Sequence, residues 1–129
     1  MSIKPALWSM ITTNPAVSAL IGTRLYPDSI PQDAPLPAVA YQTVSTSRGY
    51  TQDGPDGIAE PRIQFTVDAP TRAQAEDVAA ALKNLLSGYR GKISGKTIGA
   101  IFLENEYDGY NLSSETVVVR QDYRISYTE

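Results

Sequence analysis

The chain has 129 residues, 42% of them hydrophobic and 19% charged, which is typical of a folded globular protein and fits a single domain over residues 1–129. Its formal net charge of −3 disfavours a protein that works by binding nucleic-acid phosphates. Because the sequence has neither cysteine nor histidine, it excludes disulfides, Ser-His-Asp and Cys-His catalysis, and the ordinary zinc sites.

Two short helices are predicted between residues 4 and 21. Ser2 is the expected cap of the first, and Asn14 followed by Pro15 is typical of the start of the second, which Gly22 ends. No apolar run approaches the roughly 20 residues of a membrane-spanning helix, and the N-terminus lacks the apolar stretch of a signal peptide. We therefore expect that the protein is made in the cytoplasm and does not associate with a membrane.

Two strands are predicted after a proline-rich loop over residues 28–37. Side chains alternate from residue 38 to 44 and again, with a clean apolar face, from residue 62 to 68. The intervening residues 47–57 contain three glycines and almost no apolar side chain except Tyr50. We expect this segment to be a mobile connection, longer than a hairpin needs, that a neighbouring subunit orders.

The main helix is predicted to begin at Thr71, whose side chain forms a capping box with Gln74, and to end at Gly88. A strand over residues 97–104 is expected to be buried on both faces, residues 107–114 are expected to form a loop, and a last alternating strand follows. The order α–α–β–β–α–β–β predicts an α+β domain. It has a mainly antiparallel sheet of about four strands, one long helix across a face and short N-terminal helices.

The sequence Ser94–Thr97 resembles the end of a phosphate-binding P-loop. That pattern requires a glycine where Arg90 stands, and it leads from a strand into a helix, whereas here it leads from a helix into a strand. A surface turn is therefore favoured over the alternative, a nucleotide-binding enzyme. The carboxylates at 104–108 and 53–56 lack the spacing of a calcium loop and are interpreted as solvated loop ends. We predict no catalytic residue, no metal site and no cofactor.

Two groups of side chains are candidates for protein contacts. Arg90, Lys92 and Lys96 form a basic turn, which either complements the dipole at a helix C-terminus or docks against an acidic partner. Tyrosine is enriched at protein interfaces because it buries a large ring and keeps a hydrogen bond. The second group consists of tyrosines in polar loops and their neighbours: Tyr50, Gln52, Asp53, Tyr107 and Tyr110.

Short motifs in a fixed order carry a resemblance over nearly the whole chain. They are N-P-A-V at residues 14–17, R-L-Y-P at 24–27, L-P-A-V-A-Y-Q at 36–42, D-G-P-D-G at 53–57 and Y-R-I-S-Y at 123–127. In this order and spacing the chain resembles the tail-terminator, or tail-completion, proteins of long-tailed bacteriophages. Such proteins also occur in prophages and gene transfer agents.

The resemblance implies a non-enzymatic virion protein that assembles as a hexameric ring at the head-proximal end of the tail. Such a ring ends tube polymerisation and joins the tail to the head. The implied partners are other copies of the chain, the major tail tube protein and a head–tail connector or stopper protein, while DNA passes through the bore without specific binding. Two alternatives stay open: another joining protein of the same stack, or a small cellular protein-binding module.

Overall fold

The computed structural model describes residues 3–129, and this part of the chain forms three helices and six strands. In chain order they are α1 (Lys4–Thr13), α2 (Pro15–Ile21), β1 (Leu25–Pro27), β2 (Ala38–Thr51), β3 (Gly54–Ala69), α3 (Arg72–Leu86), β4 (Gly91–Ile93), β5 (Lys96–Asn111) and β6 (Thr116–Thr128). Strands account for 51% and helices for 25%, so the domain is mostly β.

All six strands form one curved sheet, a mixed half-barrel, in the order β1-β2-β3-β6-β5-β4. β1 runs parallel to β2, and every other neighbouring pair is antiparallel. α3 packs on the face formed by β3, β5 and β6, and α2 packs against both α1 and α3. We call this helix-covered side the inner face of the sheet and the opposite side the outer face.

The predicted α+β fold, with about four mainly antiparallel strands and one long helix, is wrong. Residues 47–57 are not a loop connection, because β2 and β3 continue through them and meet at a two-residue turn formed by Gln52 and Asp53. Residues 107–111 likewise belong to β5. Alternation of polar and apolar side chains appears only where one face of a strand is buried, and residues 42–48 are exposed throughout. A strand exposed on both sides therefore has the composition of a loop.

The helices are confirmed, and two of the three predicted N-terminal caps form; α3 ends at Leu86, two residues before the predicted Gly88. The Asn14 side-chain oxygen accepts hydrogen bonds from the backbone N–H groups of Ala16 and Val17, at 3.1 and 3.2 Å. The Thr71 hydroxyl accepts one from the N–H of Gln74 at 3.2 Å. The predicted Ser2 cap lies outside the described residues. These bonds satisfy N–H groups that a helix start otherwise leaves without partners.

The strand over residues 97–104 is not buried on both faces as predicted. β5 contains two irregularities, one between Ile98 and Ala100 and one between Leu103 and Asn105. A β-bulge shifts the side chains that follow it relative to the pleat. Between the two irregularities successive side chains point to opposite faces, so Ile101 is buried on the inner face and Phe102 lies 47% exposed on the outer face.

The core lies between α3 and the inner face. The Phe65 ring packs at 6.1 Å against that of Tyr41 and edge-on at 5.5 Å against that of Tyr123. The buried amide of Gln121 donates to the carbonyl of Ala79 on α3 at 3.0 Å, while its oxygen accepts from the Tyr123 hydroxyl at 2.9 Å. Burial raises the pKa of Tyr123 strongly, and the nearby Glu106 carboxylate adds to the shift. This polar pair fixes the position of α3 on β6.

Candidate functional site

Strand register defines the two ends of the sheet. At one end Ile58 of β3, Thr128 of β6 and Thr97 of β5 lie level. At the opposite end Asp68 of β3, Val118 of β6 and Gly109 of β5 lie level. We call the first of these the arm end, after the hairpin arm that projects beyond it, and the second the far end.

A hairpin arm, residues 49–57, projects beyond the arm end. β3 pairs with β6 no further than Ile58, so within residues 3–129 no third strand lies beside the tip of the β2–β3 hairpin. Tyr50 lies on this arm with 71% of its surface exposed, and Gln52 and Asp53 form its turn. The Asp56 carboxylate occupies the space that a side chain in place of Gly49 would fill. The arm therefore presents an aromatic ring on a β-hairpin and not on a loop.

The C-terminus holds the base of the arm. Arg48 donates two hydrogen bonds to the Glu129 carboxylate, at 2.9 and 3.2 Å, and the Glu129 N–H donates to the carbonyl of Gly57 at 2.8 Å. The hydrogen bonds from Arg48 lower the pKa of Glu129. Because the group is exposed, this pair orients the arm more than it stabilises the fold.

The predicted basic turn lies at the same end. Lys92 of β4 is level with Thr97 of β5, which in turn is level with Thr128. The Lys96 ammonium lies 5.5 Å from the centre of the Tyr127 ring. The sheet therefore brings the hairpin arm, with Tyr50, Gln52 and Asp53, to the same end of the molecule as the basic turn, about forty residues further along the sequence.

The P-loop-like sequence closes the β4–β5 hairpin. Ile93 pairs with Lys96, and the two residues between them, Ser94 and Gly95, have φ values of 48° and 82°. Positive φ at both central positions is typical of the turn that joins two antiparallel strands. A strand follows instead of a helix, so this turn lacks the helix N-terminus against which a P-loop holds phosphate.

The other two tyrosine candidates lie elsewhere. The Tyr107 hydroxyl accepts a hydrogen bond from the Gln64 amide at 2.8 Å on the outer face. Tyr110 is 56% exposed and pairs with Val117 beside the β5–β6 turn at the far end. The structure therefore does not bring Tyr107 and Tyr110 together with Tyr50.

The acidic cluster at 104–108 is divided between the two faces, so its interpretation as a solvated loop end is wrong. Glu106 accepts a hydrogen bond from the buried Gln121, and Asp108 forms a 3.1 Å ion pair with Arg72 of α3. Glu104 lies on the outer face. Each carboxylate thus has a structural partner.

Sequence reasoning missed an ion-pair network on the outer face. Arg124 of β6 lies 2.9 Å from Glu60 and 3.1 Å from Glu104, and Glu104 lies 3.1 Å from Arg62. The alternation of charges on the polar faces of β3 and β6 was the available signal, but their pairing depends on strand register. This part of the outer face carries both signs of charge in close pairs, with little surplus of either.

Within residues 3–129, no group of carboxylates has the arrangement of a metal site, and no helix is long and apolar enough to cross a membrane.

The family model described as "Tail completion protein gp17" matches residues 5–128. No curated protein sequence matches the chain. Among solved structures, a chain from the "Virion of native gene transfer agent (GTA) particle" has a similar fold, with a TM-score of 0.81 and 17% sequence identity. The alignment covers 99% of this chain and 96% of that one, so the likeness extends over the whole domain.

Proposed function

Because the chain belongs to the tail completion protein gp17 family, it is a structural component of the virion tail, and we propose that it caps the head-proximal end of the tail tube. In this proposal copies of the chain form a hexameric ring that ends tube polymerisation and joins the tail to the head. The major tail tube protein binds one side of the ring, and a head–tail connector or stopper protein binds the other.

The observation that carries the proposal is the extent of the likeness. The family match spans residues 5–128, and therefore all six strands of the sheet and almost all of the helices. A chain with the same fold occurs in a gene transfer agent particle, which is itself a virion. Both findings concern the complete domain and not a single motif.

The two ends of the sheet support a role between two partners. The arm end presents Tyr50 and the basic turn, whereas the far end presents Tyr110 and the exposed Leu112 in the β5–β6 turn. A protein that joins a tube to a head needs two different docking surfaces. We assign Tyr50, Gln52, Asp53, Arg90, Lys92 and Lys96 to one of them.

The outer face suits a bore through which DNA passes. A surface that holds DNA needs unpaired Lys and Arg side chains that neutralise phosphates. Of the outer-face arginines, Arg62 is paired with Glu104 and Arg124 with Glu60 and Glu104, whereas Arg120 belongs to none of these ion pairs. We propose that this face lines the bore and lets DNA slide past.

Complementation of a strain that lacks the gene tests this function. We expect lysates without the protein to contain tails of irregular length that are not joined to heads, and the natural chain to restore joined tails. Tyr50→Ser is expected to fold normally, by circular dichroism, but to restore few joined tails. Asn84→Ser changes an exposed residue of α3 that belongs to neither of these two docking surfaces and is the control for the arm.

Two results would contradict the proposal. Normal joined tails in the absence of the protein would favour the cellular binding module. Tails of normal length that only fail to join heads would favour another joining protein of the same stack.

A further inference from the structure

The two long outer strands of the sheet are open along much of their length. β1 covers β2 only at Val39–Tyr41, so in the described chain residues 42–51 pair with β3 alone. β4 covers β5 only from Lys96 to Ile98. A single hydrogen bond, from the Gly88 N–H to the carbonyl of Ile101, extends this cover to Ile101. Among the described residues, 102–111 then pair with β6 alone. We call residues 42–51 and 102–111 the β2 edge and the β5 edge; each is ten residues long.

The β2 edge has few of the features that protect exposed strands, apart from two register irregularities at Thr43–Ser45 and Arg48–Tyr50. Natural sheets protect their edges with charged side chains, prolines, β-bulges, short strands or covering loops, because unpaired N–H and C=O groups attract other strands. Residues 42–51 include no proline, and their one charged side chain, Arg48, is paired with Glu129. Val44 is 54% exposed on this edge.

We infer that the β2 edge of one copy pairs with the β5 edge of the next, so that one sheet continues around the ring. The inference rests on the proposed ring and names the contact that builds it. Each copy has one edge of each kind at opposite sides of its sheet. A head-to-tail contact of this kind closes into a ring when the rotation between neighbouring copies is a whole fraction of a turn, and a closed sheet has no open edge.

Strand direction agrees with rotational symmetry. β2 runs from the far end to the arm end, and β5 runs from the arm end to the far end. If all subunits point the same way along the ring axis, β2 of one copy meets β5 of the next in antiparallel orientation. The contact therefore continues the antiparallel pattern that β2, β3, β6 and β5 already follow.

The side chains of the two edges complement each other. Register through β3 and β6 places Ser45 level with Phe102 and Gln42 level with Asn105, so residues 42–45 and 102–105 are the parts of the two edges that lie at the same height. The exposed Val44 and the 47% exposed Phe102 belong to these parts, on which the proposed pairing is centred. Three carboxylates, Glu104, Glu106 and Asp108, belong to the β5 edge, and the β2 edge has none. Each of these carboxylates has a partner within its own subunit, but only the β5 edge carries negative charge, so pairing of β5 with β5 sets like charges side by side and pairing of β5 with β2 does not.

Cysteine cross-linking tests the inference cleanly because the natural chain has no cysteine. Phe102→Cys is combined in turn with Thr43→Cys, Ser45→Cys and Ser47→Cys, either in one chain or as a mixture of two single variants. A bifunctional thiol reagent spanning about 8 Å also reaches diagonal neighbours across the contact. Asn84→Cys on the exposed side of α3, combined with Ser45→Cys, is the control for random collision.

We expect at least one double variant to give a covalent ladder up to the size of the ring. The corresponding mixture of single variants gives linked dimers only, and each single variant alone gives none. A Ser45→Cys chain that links to itself would overturn the inference in favour of a two-fold β2–β2 contact.

Native mass spectrometry of the same samples, alone and bound to tail tubes, separates this inference from the proposed function. A ring without cross-links in any of the three pairs overturns the edge contact and leaves the ring standing. A chain that forms no ring in either condition overturns both.

Discussion

Leu82→Ala distinguishes the core of the subunit from its assembly surfaces. Leu82 is 0% exposed and belongs to the apolar stripe of α3 that packs on the inner face. The substitution removes about three carbon groups, worth about 2 kcal/mol at roughly 0.8 kcal/mol per buried methylene. The cavity left behind raises the expected loss of unfolding free energy to about 2–5 kcal/mol.

Urea unfolding followed by circular dichroism measures this loss. With a slope of about 1–3 kcal/mol per molar urea, a loss of 3 kcal/mol lowers the unfolding midpoint by about 1–3 M. Lys83→Ala, at the next and exposed position of α3, is the matched control and is expected to change stability by no more than about 0.5 kcal/mol. A Leu82→Ala protein of natural stability that fails to assemble would refute the reasoning, because α3 would then be an interface.

Two further predictions concern the basic turn and the buried tyrosine. Changing Arg90, Lys92 and Lys96 together to Ser is expected to weaken assembly with the acidic partner and to reduce the salt dependence of that assembly. Sedimentation at about 50 and 500 mM salt measures both effects. Assembly that is unchanged and indifferent to salt would leave only the helix-dipole interpretation. Tyr123→Phe leaves the Gln121 oxygen without its donor and is expected to cost about 1–3 kcal/mol of unfolding free energy near pH 7. Since the folded-state pKa of Tyr123 is raised, the natural chain loses stability above the unfolded value of about 10, and the variant is expected to lose less over that range; an identical alkaline loss in both would contradict this assignment.

The fold could be predicted from the sequence wherever burial imposes a period. α3 was predictable because its apolar residues recur at helical spacing, and residues 62–68 of β3 were predictable because one face lies under that helix. The hairpin arm has no buried face to impose alternation, so its sequence is that of a polar loop. β1 and β4 contain three residues each, which is too short for any period to show.

The candidate site was predictable as a set of residue types but not as a place. Tyr50 and the basic residues stand out by composition, yet only the register of β3, β6 and β5 shows that they share one end of the sheet. The same holds for the pairing of Arg124 with Glu60 and Glu104. Long-range strand register depends on packing over the whole sheet, and a local window of sequence does not contain it.

Electron cryomicroscopy of tails joined to heads tests the central claim most directly. The account predicts a single hexameric ring of this chain at the head-proximal end of each tail tube, between the last tube subunits and the connector. Density in which the chain recurs along the tube, or lies only at the distal tip, would contradict it.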